Sequence, residues 1–399
     1  MNEPKIRFKG FRGEWKTSII GDIATFSKGR GYSKSDLRSE GNPIVLYGRL
    51  YTNYSSVIES VDTFASLQNG SVLTKGNEVI IPGSGETPED IAVASAVEQK
   101  GVILGGDLNV LTFDQEKISP AFAAMSITYS NTHNELSGYA QGKTVVHLNN
   151  SSISKGHISY PYIDEQQSIS TYFQHLDALI QSTTKKIESL KQVKAASLLS
   201  MFPQEGETTP RVRFKGFEGE WEKVKLGDIA ILNPKSELPE SFEYVDLESV
   251  IGTTMKSHRR IERNCAPSRA QRLAKYDDIF YQTVRPYQKN NYHFKLYYND
   301  FVFSSGYAQI RALKDSSYLF TVIQSNSFLK QVMNNCTGTS FPAISPSMLK
   351  ELFIYDCDKE EQKMIGEYFT NLDRQISLQT QRLEKLKQIK SACLDNMFV

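Results

Sequence analysis

The residues best suited to chemistry in this chain are cations set among hydrogen-bonding neighbours. Between Lys256 and Lys275 stand Arg259, Arg260, Arg263, Arg269 and Arg272 against the lone Glu262, with His258 and Cys265 among them. Guanidinium groups at that density neutralise phosphates. The run beginning at Arg285 adds Tyr287, Gln288, Lys289 and Asn290, side chains able to hydrogen-bond base edges or to stack. In the first half the corresponding material is Lys28, Arg30 and Tyr32, then Arg49 with Tyr51 and Tyr54, and Gln141-Gly-Lys143-Thr144 with His147. Arg and Lys suit guanine, Asn and Gln suit adenine. The same residues also make ordinary solvated surface, and spacing alone does not separate the two readings.

Catalytic readings fare worse. Ser137 to Thr144, SGYAQGKT, comes within one residue of the phosphate-cradling GxxxxGK[ST] loop. Its first glycine is missing, and Val145-Val-His-Leu-Asn-Asn150 does not continue as the helix whose amides would face phosphate. There is no Asn/Asp-Pro-Pro-aromatic tetrapeptide for methylating a flipped adenine, and no convincing carboxylate pair with Glu-x-Lys for a nuclease. Cys265, Cys336, Cys357 and Cys393 lie at wide spacings without a CxxC or HxxxH pair, so neither a metal nor a disulfide is expected.

Composition bounds the rest. At 399 residues, with 39% hydrophobic and 23% charged residues, the chain is a folded protein of two or three domains, two being favoured. Lys+Arg 46 against Asp+Glu 45 leaves almost no net charge, so any basic footprint must be local. The start of the chain has no apolar leader, and no run approaches the roughly 20 apolar residues of a membrane span. A cytoplasmic protein with no membrane partner is expected.

The elements that must position these residues announce themselves as repeats. Pro4 to Ala24 reads PKIRFKGFRGEWKTSIIGDIA and Pro210 to Ala230 reads PRVRFKGFEGEWEKVKLGDIA, an offset of 206 that aligns the chain's two tryptophans, Trp15 and Trp221. Each half also closes alike, Glu165 to Phe202 matching Glu361 to Phe398 through Glu-Gln, Tyr-Phe, Leu-Asp, Leu-Lys-Gln-x-Lys and Met-Phe at an offset of 196. The middles, roughly 25 to 160 and 231 to 356, share little. Matched ends around divergent middles imply one frame doing two versions of one job; drifted loops after a duplication are the plainer alternative.

The closing segments carry a heptad seam. Phe173, Leu176, Ile180, Ile187 and Leu190 recur in the first, and Phe369, Leu372, Ile376, Leu383 and Leu386 in the second, with Lys194 and Lys390 at matching a positions. Each would be a helix of about 55 Å. The economical arrangement pairs them antiparallel with approximate twofold symmetry, although a helical hairpin in a bundle or a homodimeric coiled coil fits the pattern too. The middles read as strands at Ile44–Tyr47, Glu78–Ile81, Gly101–Leu104 and Asn109–Phe113, and at Tyr244–Leu247, Asp278–Tyr281, Asp300–Phe303 and Gln309–Leu313. Helices are expected over Ser119 to Tyr129 and near Ser316 to Asn334.

Twin Arg-Phe-x-Gly-Phe…Trp…Gly-Asp-Ile motifs, divergent middles and twin Glu-Gln…Leu-Asp…Leu-Lys-Gln-x-Lys helices together resemble the specificity subunit of type I restriction-modification systems, over the full length. The resemblance implies an α+β fold: two strand-rich target-recognition domains joined by two long antiparallel coiled-coil helices with pseudo-twofold symmetry. It divides the chain into a first recognition domain (1–160), a spacer helix (161–203), a linker (204–209), a second recognition domain (210–357) and a second spacer helix (358–399). It implies no catalytic site, double-stranded DNA with a bipartite site, and two methyltransferase and two restriction subunits as partners. S-adenosylmethionine, ATP and magnesium would then belong to those partners. A bivalent protein-binding scaffold without DNA specificity is the competing reading.

Overall fold

A computed structural model of the chain describes residues 2–204 and 206–399; Glu205 of the expected linker lies outside them. The chain forms two compact units that do not follow its linear order: residues up to Thr184 join Arg382–Val399 in the first, and Lys185–Gln381 form the second. Division by packing is thus coarser than the division by repeats, because each long helix is shared out between units.

In the first unit a five-stranded sheet runs in the order Ala24–Lys28, Leu108–Phe113, Glu78–Pro82, Ser95–Val97, Val57–Ile58. Its central strand Glu78–Pro82 is buried throughout, as a continuous apolar run must be when both faces are covered. A four-stranded sheet of Ile103–Leu104, Asn42–Val45, Phe64–Ala65 and Leu37–Arg38 accompanies it. The second unit repeats the scheme. Ala230–Leu232, Tyr307–Ala312, Ile279–Gln282 and Tyr292–His293 form one sheet, and Arg259–Glu262, Ser241–Val245, Phe301–Ser304 and Ala270–Leu273 the other.

The helix expected over Ser119 to Tyr129 is present, and the other helical expectation needs a correction. Pro120–Tyr129 is followed at once by a second helix, Asn131–Tyr139, and the single helix expected near Ser316 to Asn334 is two, Ser316–Gln324 and Asn326–Asn334. Both breaks fall at a serine in extended backbone whose side chain accepts from an amide of the next helix: Ser130 from Thr132 and Ser325 from Phe328. A serine that caps the new helix ends the old one.

The long helices are Ile163–Ser200 and Lys359–Met397. Within each unit the start of one packs beside the end of the other, which makes the pair antiparallel. In the first unit Phe173 meets Phe398 at 5.9 Å between ring centroids and Lys390 Nζ donates to Asp177 Oδ1 at 2.5 Å. In the second, Phe369 meets Phe202 at 6.0 Å and Lys194 Nζ donates to Asp373 Oδ1 at 2.5 Å. Phe173, Leu176, Ile187, Leu190, Phe369 and Leu372 are buried, and Ile180, Ile376, Leu383 and Leu386 half-buried.

These contacts account for the repeated motifs one by one. Arg7 and Arg213 each grip a buried glutamate with two nitrogens: Arg7 Nε and Glu165 Oε1 are 2.6 Å apart, as are Arg213 Nε and Glu361 Oε1. Phe8 lies edge-on to Tyr172 and Phe214 to Tyr368. Trp15 is covered by Phe122 and Phe398, Trp221 by Tyr318 and Phe202. The strands Lys16–Ile19 and Glu222–Lys225 each pair with the strand just before a long helix, His157–Tyr160 and Phe353–Asp356. The repeated arginines, aromatics and glutamates thus serve the frame, which leaves the middles free to differ.

Candidate nucleic-acid interface

Each middle carries a turn closed by a buried acid. In the first unit Glu78 accepts from the backbone amides of Lys75, Gly76 and Asn77; in the second, Asp278 accepts from the Lys275 amide at 2.8 Å and from Arg311 Nε and Nη2, both at 2.8 Å. Of the strands that follow, Ile279–Gln282 leads into the candidate run from Arg285, and Glu78–Pro82 leads to Ser84–Gly85, which pairs with Val146–His147.

In the second unit the arginine-rich strand Arg259–Glu262 lies at a sheet edge, antiparallel to Ser241–Val245. Its cations are exposed but not idle. Arg259 lies 3.6 Å from Asp246 with its guanidinium carbon 5.2 Å from the Tyr244 ring centre, Arg260 pairs with Asp300 and Ser241, and Arg263 is 3.7 Å from Glu240. His258 and Glu243 are 2.7 Å apart. Glu262 is therefore not the acid that matters; carboxylates from strands distant in sequence already balance the cluster. Arg269 is exposed with no side-chain partner among the described residues. Arg272 is half-buried, its Nε has no partner, and burial lowers its affinity for a proton.

The run from Arg285 forms a tight turn, Pro286–Gln288, bracketed by Arg285 and Lys289 in left-handed backbone at φ 53° and 54°. Several of its polar groups are spent internally. Gln288 Oε1 accepts from Gln282 Nε2, Lys289 Nζ donates to Gln324 O and Asn326 Oδ1, and Asn290 Oδ1 accepts from the Gly252 amide, each at 2.8 Å. Tyr287 is exposed and Arg285 lies over Phe341, its guanidinium carbon 4.4 Å from the ring centre.

In the first unit Lys28 and Arg30 are exposed with no side-chain partner among the described residues. Gly29 between them is used for close approach: a Cβ there would clash with the Gly105 carbonyl oxygen, and one on Gly106 would stand 2.9 Å from the Gly31 carbonyl oxygen. Tyr32 is turned to structure, its hydroxyl 2.5 Å from Ser71 Oγ and accepting from the Gln68 amide. Arg49 is largely buried and 3.2 Å from Asp62. The short helix Arg49–Thr52 also presents Tyr51, which donates to Ser84 O; Ser84 Oγ is 3.0 Å from His147 Nδ1. That chain of contacts joins the Arg49 helix to the loop bearing Lys143, which is exposed.

That loop ends the phosphate-loop resemblance. Helix Asn131–Tyr139 stops before it, Gln141 and His147 exchange both backbone hydrogen bonds, and no helix begins at Lys143-Thr144. The second unit has the same device at the 196-residue offset: Thr337 and Ala343 exchange both hydrogen bonds around Gly338, as Gln141 and His147 do around Gly142. Each tip is pinned to the strand region that follows the acid-closed turn, through Val146↔Gly85 in one unit and Val284↔Ala343 in the other. Phe341 and Val145, exposed at equivalent places on these tips, were not among the candidates from sequence. Carrying the 196 offset backwards past Glu165 to the paired glycines would have found them.

Among the described residues no group of His, Cys, Asp and Glu could hold a metal ion, and no helix is long and apolar enough to cross a membrane. Each unit is strand-rich and carries parts of both long helices, and the comparisons with known proteins give this architecture a family. Residues 12–192 and 218–388 each match the family described as the type I restriction modification DNA specificity domain, and the chain belongs to that family. It is similar to the type I restriction enzyme MjaVIII specificity subunit of Methanocaldococcus jannaschii, at 21% identity over 96% of this chain and 91% of that one. The HindI specificity subunit of Haemophilus influenzae is 30% identical over 33% of this chain and 30% of its own length. In fold, the chain resembles the crystal structure of a type I restriction-modification S subunit from M. genitalium, with TM-score 0.65 and 15% identity over 100% of this chain and 99% of that one. The protein is a specificity component, not a catalytic one, and the scaffold reading is not favoured.

Proposed function

We propose that this chain reads a bipartite site in double-stranded DNA, each middle recognising one half, and directs adenine methylation or cleavage by partner subunits. The observation that carries this is the pair of unlike loop-bearing heads held on one twice-repeated frame. Two methyltransferase subunits would use the frame and two restriction subunits would join them, in the cytoplasm. S-adenosylmethionine, ATP and magnesium would bind those partners. Because methylation needs adenine taken out of the stack, each half-site should contain one.

The surroundings of the side chains support a sorting of the candidate contacts. Lys28, Arg30, Lys143, Arg269 and Tyr287, exposed, would be free to meet DNA, and Arg285 would do so from over the Phe341 ring. Arg259, Arg260 and Arg263 would reach phosphates by exchanging their carboxylates. Tyr32, Arg49, Lys289 and Asn290 would shape the loops, Gln288 and His147, both exposed, would meet DNA through the atoms that their internal bonds leave unused, and Arg272 would act only where its surroundings open. Methylome sequencing with and without the gene tests the reading: a bipartite methylated-adenine motif should vanish with the gene, and an unchanged methylome would refute it. Binding to DNA bearing that motif should weaken steeply with salt as counterions are released.

A further inference from the structure

We propose that the tip at residues 338–342 is a stacking wedge, in which the Phe341 ring, backed by the Arg285 guanidinium, lies against an unstacked base of the half-site read by the second unit, while the equivalent tip of the first unit does no such thing. This rests on the DNA-reading function proposed above.

Phe341 is 60% exposed at the end of a hairpin rather than folded into the core. The hairpin is stiff. Thr337 and Ala343 close it with two 2.9 Å hydrogen bonds, Gly338 turns it at φ 85°, and Pro342 restricts the backbone of Phe341 itself. The Pro342 carbonyl accepts from the Arg285 amide at 2.8 Å, and Ala343 bridges Val284, so ring and cation are held by neighbouring pieces of one backbone cluster. Arg285 adopts φ 53°, a left-handed conformation uncommon for a residue with a side chain, and its guanidinium lies over the ring. A flat apolar group inserted at a base step unstacks it, and a cation beside an aromatic plate adds attraction for the nearby phosphate. The first unit supplies the contrast. Val145 stands at the matching position, 49% exposed, with Lys143 two residues before it; a branched aliphatic side chain has no face on which a base can stack.

The test uses the full chain without methyltransferase subunits, so that no partner extrudes a base, and duplexes carrying the motif from the methylome with 2-aminopurine placed in turn at each purine of both half-sites. Fluorescence should rise at a position in the second half-site only. Phe341→Ala should abolish that rise and weaken binding roughly tenfold or more, Phe341→Trp should keep both, and Val145→Ala should leave the signal unchanged. Unchanged melting of the variants checks folding. The inference is overturned if wild-type protein binds with no responding position, or if Phe341→Ala binds and fluoresces as wild type, or loses affinity equally on unrelated DNA. Failure of the wild type to bind the motif at all would instead sink the DNA-reading function.

Discussion

A carboxylate taken out of water must be matched by a cation and hydrogen bonds, and Arg7 with Glu165 and Arg213 with Glu361 meet that demand twice. Arg213→Ala should leave Glu361 buried and unpaired and destabilise the second unit by about 3 kcal/mol, measured from urea denaturation. Arg213→Leu combined with Glu361→Leu should recover most of the loss. His293 sets a pH dependence in the same unit. It lies among Asp277, Lys295, Ser316 and the Phe320 ring, and burial lowers its pKa despite Asp277. Its unfolded form takes up a proton near the ordinary value, about 6.5, before the folded form does, so stability falls as pH drops through that value. Asp277, held well below the usual carboxylate range by His293 and then Lys295, loses its contribution only at much lower pH. Denaturation midpoints should therefore decline from pH 7 to 5, and His293→Asn should flatten the decline; an unaltered slope would exclude the histidine as its source.

The long helices show what a heptad pattern does and does not tell. Their apolar positions are legible from periodicity, because burial at 3.5-residue spacing needs no knowledge of the partner. Lys194 and Lys390 look like flaws in the seam when read along the sequence. In the fold they are its crosslinks, each donating to the aspartate of the other helix's Leu-Asp motif. Lys390→Asp should destabilise the first unit by about 1 kcal/mol for a partly exposed pair, read as a lower melting temperature, and Asp177→Lys in the same chain should restore it. The strands of the middles were likewise legible from β-branched runs between turn residues. Candidate contacts were less so. Whether Arg49 faces solvent depends on Asp62, Tyr32 on Ser71 and Lys289 on Gln324, and only the folded topology brings these partners together. Gly366 is a further example: a Cβ there would stand 2.7 Å from Asp315 Oδ1, a close approach invisible in a helix read alone.

At the scale of the molecule, the proposed reading makes the heads exchangeable and the frame metric. Replacing residues 25 to 160 with another middle should change one half of the methylated motif and leave the other; loss of both halves would contradict independent recognition. Asp177 and Lys194 are as far apart in sequence as Asp373 and Lys390, so both crosslinks form only if the helices keep equal lengths. Removing a heptad from one helix should disrupt assembly, whereas removing one from each should shorten the unread gap by about 3 base pairs, taking 1.5 Å per residue and 3.4 Å per pair. The sharing of helices should also reverse the order of maturation. The second unit has all its parts once Gln381 has been synthesised, but the first, begun earliest, still lacks Met397 and Phe398 for the core around Trp15. On the ribosome the later-born unit should become protease-resistant before the elder, and stalled nascent chains would reveal that inversion directly.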